Sequence, residues 1–91
     1  MQPDSEIHLP IDGELDLHTF SPRELSSLIP DYLIECKKRG ILQVRIIHGK
    51  GTGALMRSVH AILSRLDMVD SYCIAPPKLG GHGATMVRLR D

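Results

Sequence analysis

The sequence predicts an α/β domain with the element order β-α-β-α-β-β and a four-stranded mixed sheet. Three observations carry this. Stretches that are rich in β-branched residues, or that alternate between apolar and polar, recur at 14–18, 43–47, 68–75 and 84–90. Two further stretches, 22–39 and 54–66, carry apolar residues at the spacing of one helix face. Strands that alternate with helices form βαβ units, whose right-handed crossovers let the first three strands run parallel, and a glycine- and proline-rich loop before the last strand closes an antiparallel hairpin.

Residues 1–12 read as an N-terminal arm and 13–91 as the domain. In the arm, Ile7, Leu9 and Ile11 alternate with His8 and Pro10, a pattern that fits a short added edge strand with His8 towards solvent. Strand one follows at Glu14-Leu15-Asp16-Leu17-His18. Leu15 and Leu17 face the core, so Asp16 and His18 share the opposite face. An acid and an imidazole so placed suit proton transfer, or a carboxylate that orients an imidazole; they equally suit an exposed polar face. Ser21-Pro22-Arg23-Glu24 is a capping box with Pro at the first helical position. Leu25, Leu28, Ile29, Tyr32, Leu33 and Cys36 then form the buried stripe of helix one. Lys37, Lys38 and Arg39 complement the helix dipole, and Gly40 takes the left-handed position after the last turn. Pro30 removes an interior hydrogen bond and is expected to bend this helix near Ser26 or Ser27.

Strand two, Gln43-Val44-Arg45-Ile46-Ile47, runs into His48-Gly49-Lys50-Gly51-Thr52-Gly53 and then into helix two, with Leu55, Val59, Ile62, Leu63 and Leu66 on its apolar face. His60, off the centre of that stripe, reads as a surface histidine. The motif is thus a strand-to-helix turn. Glycines allow positive φ and close approach of a ligand to backbone N–H groups, and the helix N-terminus behind them favours anions. Lys50 adds a charge, and His48 adds a group that titrates near neutrality. A phosphodiester fits such a turn; a plain tight βα turn has the same outline. It is not a Walker A loop, because Val44 stands where that motif needs its first glycine. Residues 68–75 read as strand three, 76–83 as a loop, and 84–90 as strand four with Thr85, Val87 and Leu89 on one face and Met86, Arg88 and Arg90 on the other.

Composition narrows the function classes. Two Tyr, one Phe and no Trp argue against an aromatic platform for stacking bases. Cys36 and Cys73 lack the spacing of a zinc site and are expected as buried thiols in a reducing compartment. No apolar run is long enough to span a membrane and no signal-peptide pattern is visible, which places the chain in the cytoplasm. The formal charge is zero but unevenly spread: residues 1–35 hold eight acids and one base, residues 36–66 seven bases and no acid. The middle third can therefore present a positive patch around the glycine turn.

Topology brings these features together. With the first three strands parallel, His18 and His48 end their strands on the same sheet edge, where open α/β sheets bind ligands. The loop before strand four returns to that edge, so Gly80-Gly81-His82-Gly83 can approach the glycine turn.

At these residues a family is recognisable. Leu15-Asp16-Leu17-His18, His48-Gly49-Lys50-Gly51-Thr52-Gly53 and Gly80-Gly81-His82-Gly83-Ala84-Thr85 resemble, in order and spacing, the three motifs of the Smr (small MutS-related) domain. Thr19 stands where the family often has Gly, which stiffens that turn. The resemblance implies a two-layer sandwich with both helices on one face of the sheet, similar to the C-terminal domain of translation initiation factor 3. It implies nucleic-acid binding. In several members it implies endonuclease activity, either nicking of branched or duplex DNA in DNA repair or cleavage of RNA, including messenger RNA at stalled ribosomes. The family's first-motif Asp and His fall on Asp16 and His18, and its second-motif His and Gly on His48, Gly49 and Gly51. Larger relatives fuse the domain to a MutS-type ATPase or RNA-binding repeats, so the domain alone is expected to be targeted by its own surface or by a partner protein.

The leading expectation is cleavage of phosphodiester bonds in RNA or in structured or branched DNA. In RNA the 2′-hydroxyl attacks, and a base and an acid suffice without a cofactor: His48 and His18 are the candidate pair, with Asp16 orienting an imidazole or acting as base. Lys50, Arg57 and the N–H groups of Gly49, Lys50, Gly51, Thr52 and Gly53 are the candidate phosphate-binding groups, joined by Gly81, His82 and Gly83. In DNA water attacks, which calls for Mg2+ or Mn2+ with Asp16 as ligand; Asp16 and His18 do not complete a known metal site, and no metal-binding residue is assigned. The rival reading is a binding module that holds the phosphate backbone without chemistry and acts with a partner. A small anionic metabolite is a third. A free sheet edge also leaves room for pairing with a second copy.

Overall fold

The structure, a computed structural model, describes residues 9–91; Ile7 and His8 of the expected edge strand lie outside the described residues. The elements are β1 (Glu14–Asp16), a 3-10 turn (Pro22–Glu24), α1 (Leu25–Lys38), β2 (Gln43–Ile47), α2 (Ala54–Leu63), β3 (Val69–Ile74), two 3-10 turns (Pro77–Leu79 and Gly81–Gly83) and β4 (Ala84–Leu89). The sheet order is β1-β2-β4-β3. β1 is parallel to β2, and β4 is antiparallel to both β2 and β3. β1, β2 and β3 therefore all run one way, with β4 between the last two running back.

The strands alternate as expected, with Val44 and Ile46 of β2 and Thr85, Val87 and Leu89 of β4 buried. Both helices cover that one face. Leu25, Ile29, Tyr32, Leu33 and Cys36 of α1 and Val59 and Leu63 of α2 join Leu15, Leu17, Val44, Ile46, Val69, Val87 and Leu89 in a single core. The opposite sheet face is uncovered. Cys73 pairs with Met86 on that face and is exposed, so the expectation of two buried thiols holds for Cys36 only.

Local chemistry sets the element ends. β1 is shorter than its pattern because the Asp16 carboxylate takes the His18 N–H at 3.0 Å and turns the chain; Leu17 N–H still reaches Ile47 O, at 2.9 Å. The Ser21 N–H donates to Glu24 Oε1, one arm of the expected capping box. A single helix then runs through Pro30; the Ser26 carbonyl, which Pro30 cannot bond, belongs to an exposed residue. At the far end Gly40 has φ +75°, its N–H meets Lys37 O at 3.0 Å, and Ile41 N–H meets Cys36 O at 2.9 Å, a Schellman closure. Residues 9–13 form no strand, but Leu9 and Ile11 pack against the core. α2 ends at Leu63, short of residue 66, and 76–83 is wound into two 3-10 turns where an irregular loop is expected.

Tyr32 fixes where β1 begins. Its ring is fully buried, and its hydroxyl donates to Glu14 O at 3.1 Å while accepting the Gly13 N–H at 3.2 Å. Burial pushes its pKa up to about 12. Tyr32→Phe removes both bonds and leaves the Gly13 N–H without its acceptor. The expected loss is about 1–2 kcal/mol, read as a fall in thermal midpoint of roughly 4–8 °C per kcal/mol for a domain of this size. An unchanged midpoint would show that the hydroxyl does not anchor this segment.

Candidate functional site

At the edge where β1 and β2 end and β4 begins, Asp16, Ile47 and Ala84 lie in one row of the sheet. The site is built one step beyond that row. On the β1 side, Asp16 Oδ1 accepts His18 Nδ1–H at 2.5 Å as well as the His18 N–H. These two bonds hold the Asp16 carboxyl below the usual carboxylate range. The hydrogen-bonded pair is exposed, with 66% of the His18 side chain accessible. Since Nδ1 is held, Nε2 is the free nitrogen, and a methyl group placed on Gly49 would lie 3.9 Å from it. The structure thus brings Asp16 and His18 against the glycine turn.

On the β2 side, Gly83 O accepts the N–H groups of His48 at 3.0 Å and Gly49 at 2.8 Å. The Gly49 carbonyl in turn accepts His48 Nδ1–H at 3.0 Å. Gly49 has φ +83°, which a residue with a side chain adopts only at a cost of about 1–2 kcal/mol. The Gly53 N–H is taken by Lys50 O at 3.1 Å. The expectation of five free N–H groups is therefore corrected: Gly49 and Gly53 are engaged, and among the described residues no acceptor takes those of Lys50, Gly51 and Thr52. They stand ahead of α2, beside an open depression of about 400 Å³ lined by residues 48–55, Pro22 and Ser58.

The basic and loop residues fall as follows. Lys50 is exposed, and its stem lies against Gly83, where an added methyl would be 3.5 Å from Cγ. The Arg57 guanidinium reaches back to Gly53, with Nη1 3.2 Å from where a methyl on that glycine would sit. Gly81 bonds Pro76 O through its N–H at 3.0 Å and supports the loop from within. His82 is exposed and makes no hydrogen bond among the described residues. Arg45 pairs with Glu14 and donates to Leu79 O at 2.9 Å, tying residues 76–83 to the sheet.

His48 and His60 depart from expectation. His48 is only 6% exposed. Its Nε2 lies 2.9 Å from Thr85 Oγ1, so both ring nitrogens are held by protein and neither is free to take a substrate proton. The reason is direction: the residue after Ile47 turns its ring inward, beneath the turn, while His18 points outward. His60, read as a surface residue, is half-buried; its Nε2 lies 2.8 Å from the same Thr85 hydroxyl and its ring tilts on Tyr72 at 4.8 Å. Burial first, and then the nearby His48, hold the His60 pKa below the usual imidazole value. Thr85 is wholly buried. Its placement on the core face, a hydroxyl among Val87 and Leu89, was the available signal for such a network. Among the described residues no three acid, His or Cys side chains group as metal ligands, and no helix is long and apolar enough to cross a membrane.

Comparison with known proteins covers the same region. The family model described as Smr domain matches residues 15–90. The chain is 40% identical over 77 residues to the protein named Endonuclease MutS2 of Thermus thermophilus, a match that covers 85% of this chain and 10% of that protein. The protein of the same name from Carboxydothermus hydrogenoformans is 39% identical over 77 residues, with 85% and 10% covered. The chain thus spans about a tenth of the length of these relatives. Among solved structures, the Smr domain of Thermus thermophilus MutS2 superposes with a TM-score of 0.81 at 39% identity, covering 88% of this chain and all of that one. YdaL, a stand-alone small MutS-related protein from Escherichia coli, gives 0.78 at 33% identity, with 90% and 67% covered.

The His60 environment has a measurable consequence. Because its folded pKa is depressed, His60 stays neutral in the fold while the unfolded chain takes up a proton. Its contribution to stability is present above about pH 6.5 and is lost as pH falls towards the folded value. Urea unfolding from about pH 7.5 to about pH 5 should show wild type losing more stability than His60→Gln, in which this titration is absent. Equal losses would mean that His60 titrates alike in both states.

Proposed function

The chain belongs to the Smr domain family, and from this premise we propose that it binds the phosphodiester backbone of nucleic acid at the glycine turn and cleaves it there. One observation carries the reading: an imidazole held by a carboxylate, with its far nitrogen free, stands against a turn that offers three unclaimed N–H groups and a lysine. A phosphate seated on Lys50, Gly51 and Thr52 N–H would also gain from the α2 N-terminus and from Lys50 and Arg57. RNA is the substrate that needs least else. His18 Nε2 takes the proton of the attacking 2′-hydroxyl, and Asp16 stabilises the imidazolium that results; as the P–O5′ bond breaks to leave a 2′,3′-cyclic phosphate, the imidazolium returns that proton to the departing 5′-oxygen through water, while the N–H groups and Lys50 neutralise the added charge of the phosphorane. The expected His18–His48 pair is thereby reduced to His18, with His48 holding the turn. For a DNA substrate water must attack, which calls for an ion such as Mg2+ or Mn2+; Asp16, a single carboxylate already engaged by His18, does not by itself fit such an ion, and no step is assigned to one. Such a site belongs in the cytoplasm, where its polymer substrates are, and a partner protein is one means of bringing it to them.

A binding module without chemistry is the second reading, favoured by the single free imidazole nitrogen of the pair expected. The two part in one experiment. Wild type, His18→Ala and Lys50→Ala are incubated with end-labelled stem-loop RNA and branched DNA, in EDTA and in Mg2+ or Mn2+, and binding is measured alongside. Nuclease action predicts that His18→Ala lowers cleavage by about 10²–10⁴-fold with little change in affinity, while Lys50→Ala weakens affinity and its salt dependence. Substrate bound but intact under every condition would leave the module; cleavage unaffected by His18→Ala would remove His18 from the chemistry.

A further inference from the structure

His48, Thr85 and His60 are joined by one hydroxyl, and the donors and acceptors along this chain leave a single arrangement when both imidazoles are neutral. Gly49 O can only accept, so His48 Nδ1, 3.0 Å away, carries the proton. His48 Nε2 is then bare and accepts from the Thr85 hydroxyl at 2.9 Å. Having given its proton, Thr85 Oγ1 accepts from His60, whose Nε2, 2.8 Å away, must carry the hydrogen. The order runs His60 Nε2–H to Thr85 O–H to His48 Nε2, and from His48 Nδ1–H to Gly49 O. A buried hydroxyl that reversed direction would set an oxygen lone pair against the bare His48 Nε2 and its hydrogen against that of His60 Nε2.

The last bond reaches the surface. All described peptide bonds are trans, and a trans peptide points its N–H opposite to its C=O. With Gly49 O turned inward to the His48 ring, the Lys50 N–H faces away from it, towards the depression that Gly49 and Lys50 line. The Gly49 N–H is meanwhile held by Gly83 O. The peptide that offers the first free donor of the turn is thus clamped on its inner side by His48, whose Nδ1–H tautomer is selected by Gly49 O and reinforced from behind by the Thr85 hydroxyl, itself held by His60. We propose that Thr85 and His60 are positioning residues, which lock His48 in the Nδ1–H tautomer that bonds Gly49 O and so keep the Lys50 N–H aimed at a bound phosphate.

This rests on the phosphate-binding reading for its last link, and the test separates the two. Ring-nitrogen NMR of the intact protein near pH 7.5 reads the tautomers directly, and a labelled stem-loop RNA at low salt reads affinity. Wild type should show His48 protonated at Nδ1 and bare at Nε2, with His60 the reverse. Thr85→Val keeps the side-chain shape and removes the hydroxyl. It should release the His48 tautomer into a mixture and weaken RNA binding about tenfold, while Thr85→Ser restores both. His60→Leu, at a half-exposed position, tests the same chain should the buried Val variant not fold; it should loosen the His48 signal and weaken binding about threefold, and His60→Gln, which keeps a donor, should not. His48 protonated at Nε2 in wild type would overturn the proposal. So would Thr85→Val or His60→Leu proteins with wild-type ring signals and affinity. The stated tautomers in a wild-type protein that binds no RNA or DNA would uphold the hydrogen-bonded chain and overturn the phosphate reading instead.

Discussion

The carbonyl of Gly83 accepts the N–H groups of both His48 and Gly49, and the candidate site is assembled around that contact. It joins the end of β2 to the entry of β4 one step past the last paired row, Ile47 with Ala84. Without it the glycine turn would be tethered only at its ends. With it, Gly49 is held from behind, His18 lies across its front, and the donors of the three residues that follow are left outward. The loop that supplies Gly83 is itself pinned through Leu79 to Arg45, which is paired with Glu14 of β1. Three segments far apart in sequence thus fix one another.

His48 and Thr85 are the buried polar residues of the described chain, and they bond to each other. No buried side-chain polar atom among the described residues lacks a partner. A buried imidazole without partners would cost several kcal/mol; here burial and bonding reinforce one another because the network has one self-consistent direction. Division of labour follows from exposure. His18, outside and backed by Asp16, is suited to exchange protons, whereas His48, inside, is suited to hold geometry.

Much of this was legible in the sequence. The period-2 and helical stripes placed the strands and helices, and Gly40 marked the Schellman closure, because these patterns rest on local geometry that tertiary structure did not override. The convergence of Asp16, His18, the glycine turn and Gly83 followed from strand direction alone. What was not legible was orientation about a single bond. Nothing local distinguishes a His48 ring that turns under its own turn from one that turns out, or tells that His60, one residue from Val59, would tilt onto Tyr72 and meet Thr85. Likewise, that the Gly49 N–H is taken depends on the register of Gly83, a contact 34 residues away. Cys73 was misplaced for a related reason: strand alternation assigns a face, but only the packing of both helices on one side decides which face is covered.

The sheet order also bears on how the molecule forms. β4 follows every other strand in sequence, yet it lies between β2 and β3. β3 therefore has no neighbour until β4 arrives, and a nascent chain that has emerged only as far as residue 75 holds β1 and β2 as an incomplete pair. Pairing of this kind closes long loops and is slow. The same strand carries Thr85, and its entry carries Gly83, so the glycine turn takes its shape only when β4 is seated between β2 and β3. Any form of the chain in which β4 is unpaired would consequently lack both the carbonyl behind the turn and the hydroxyl beneath it.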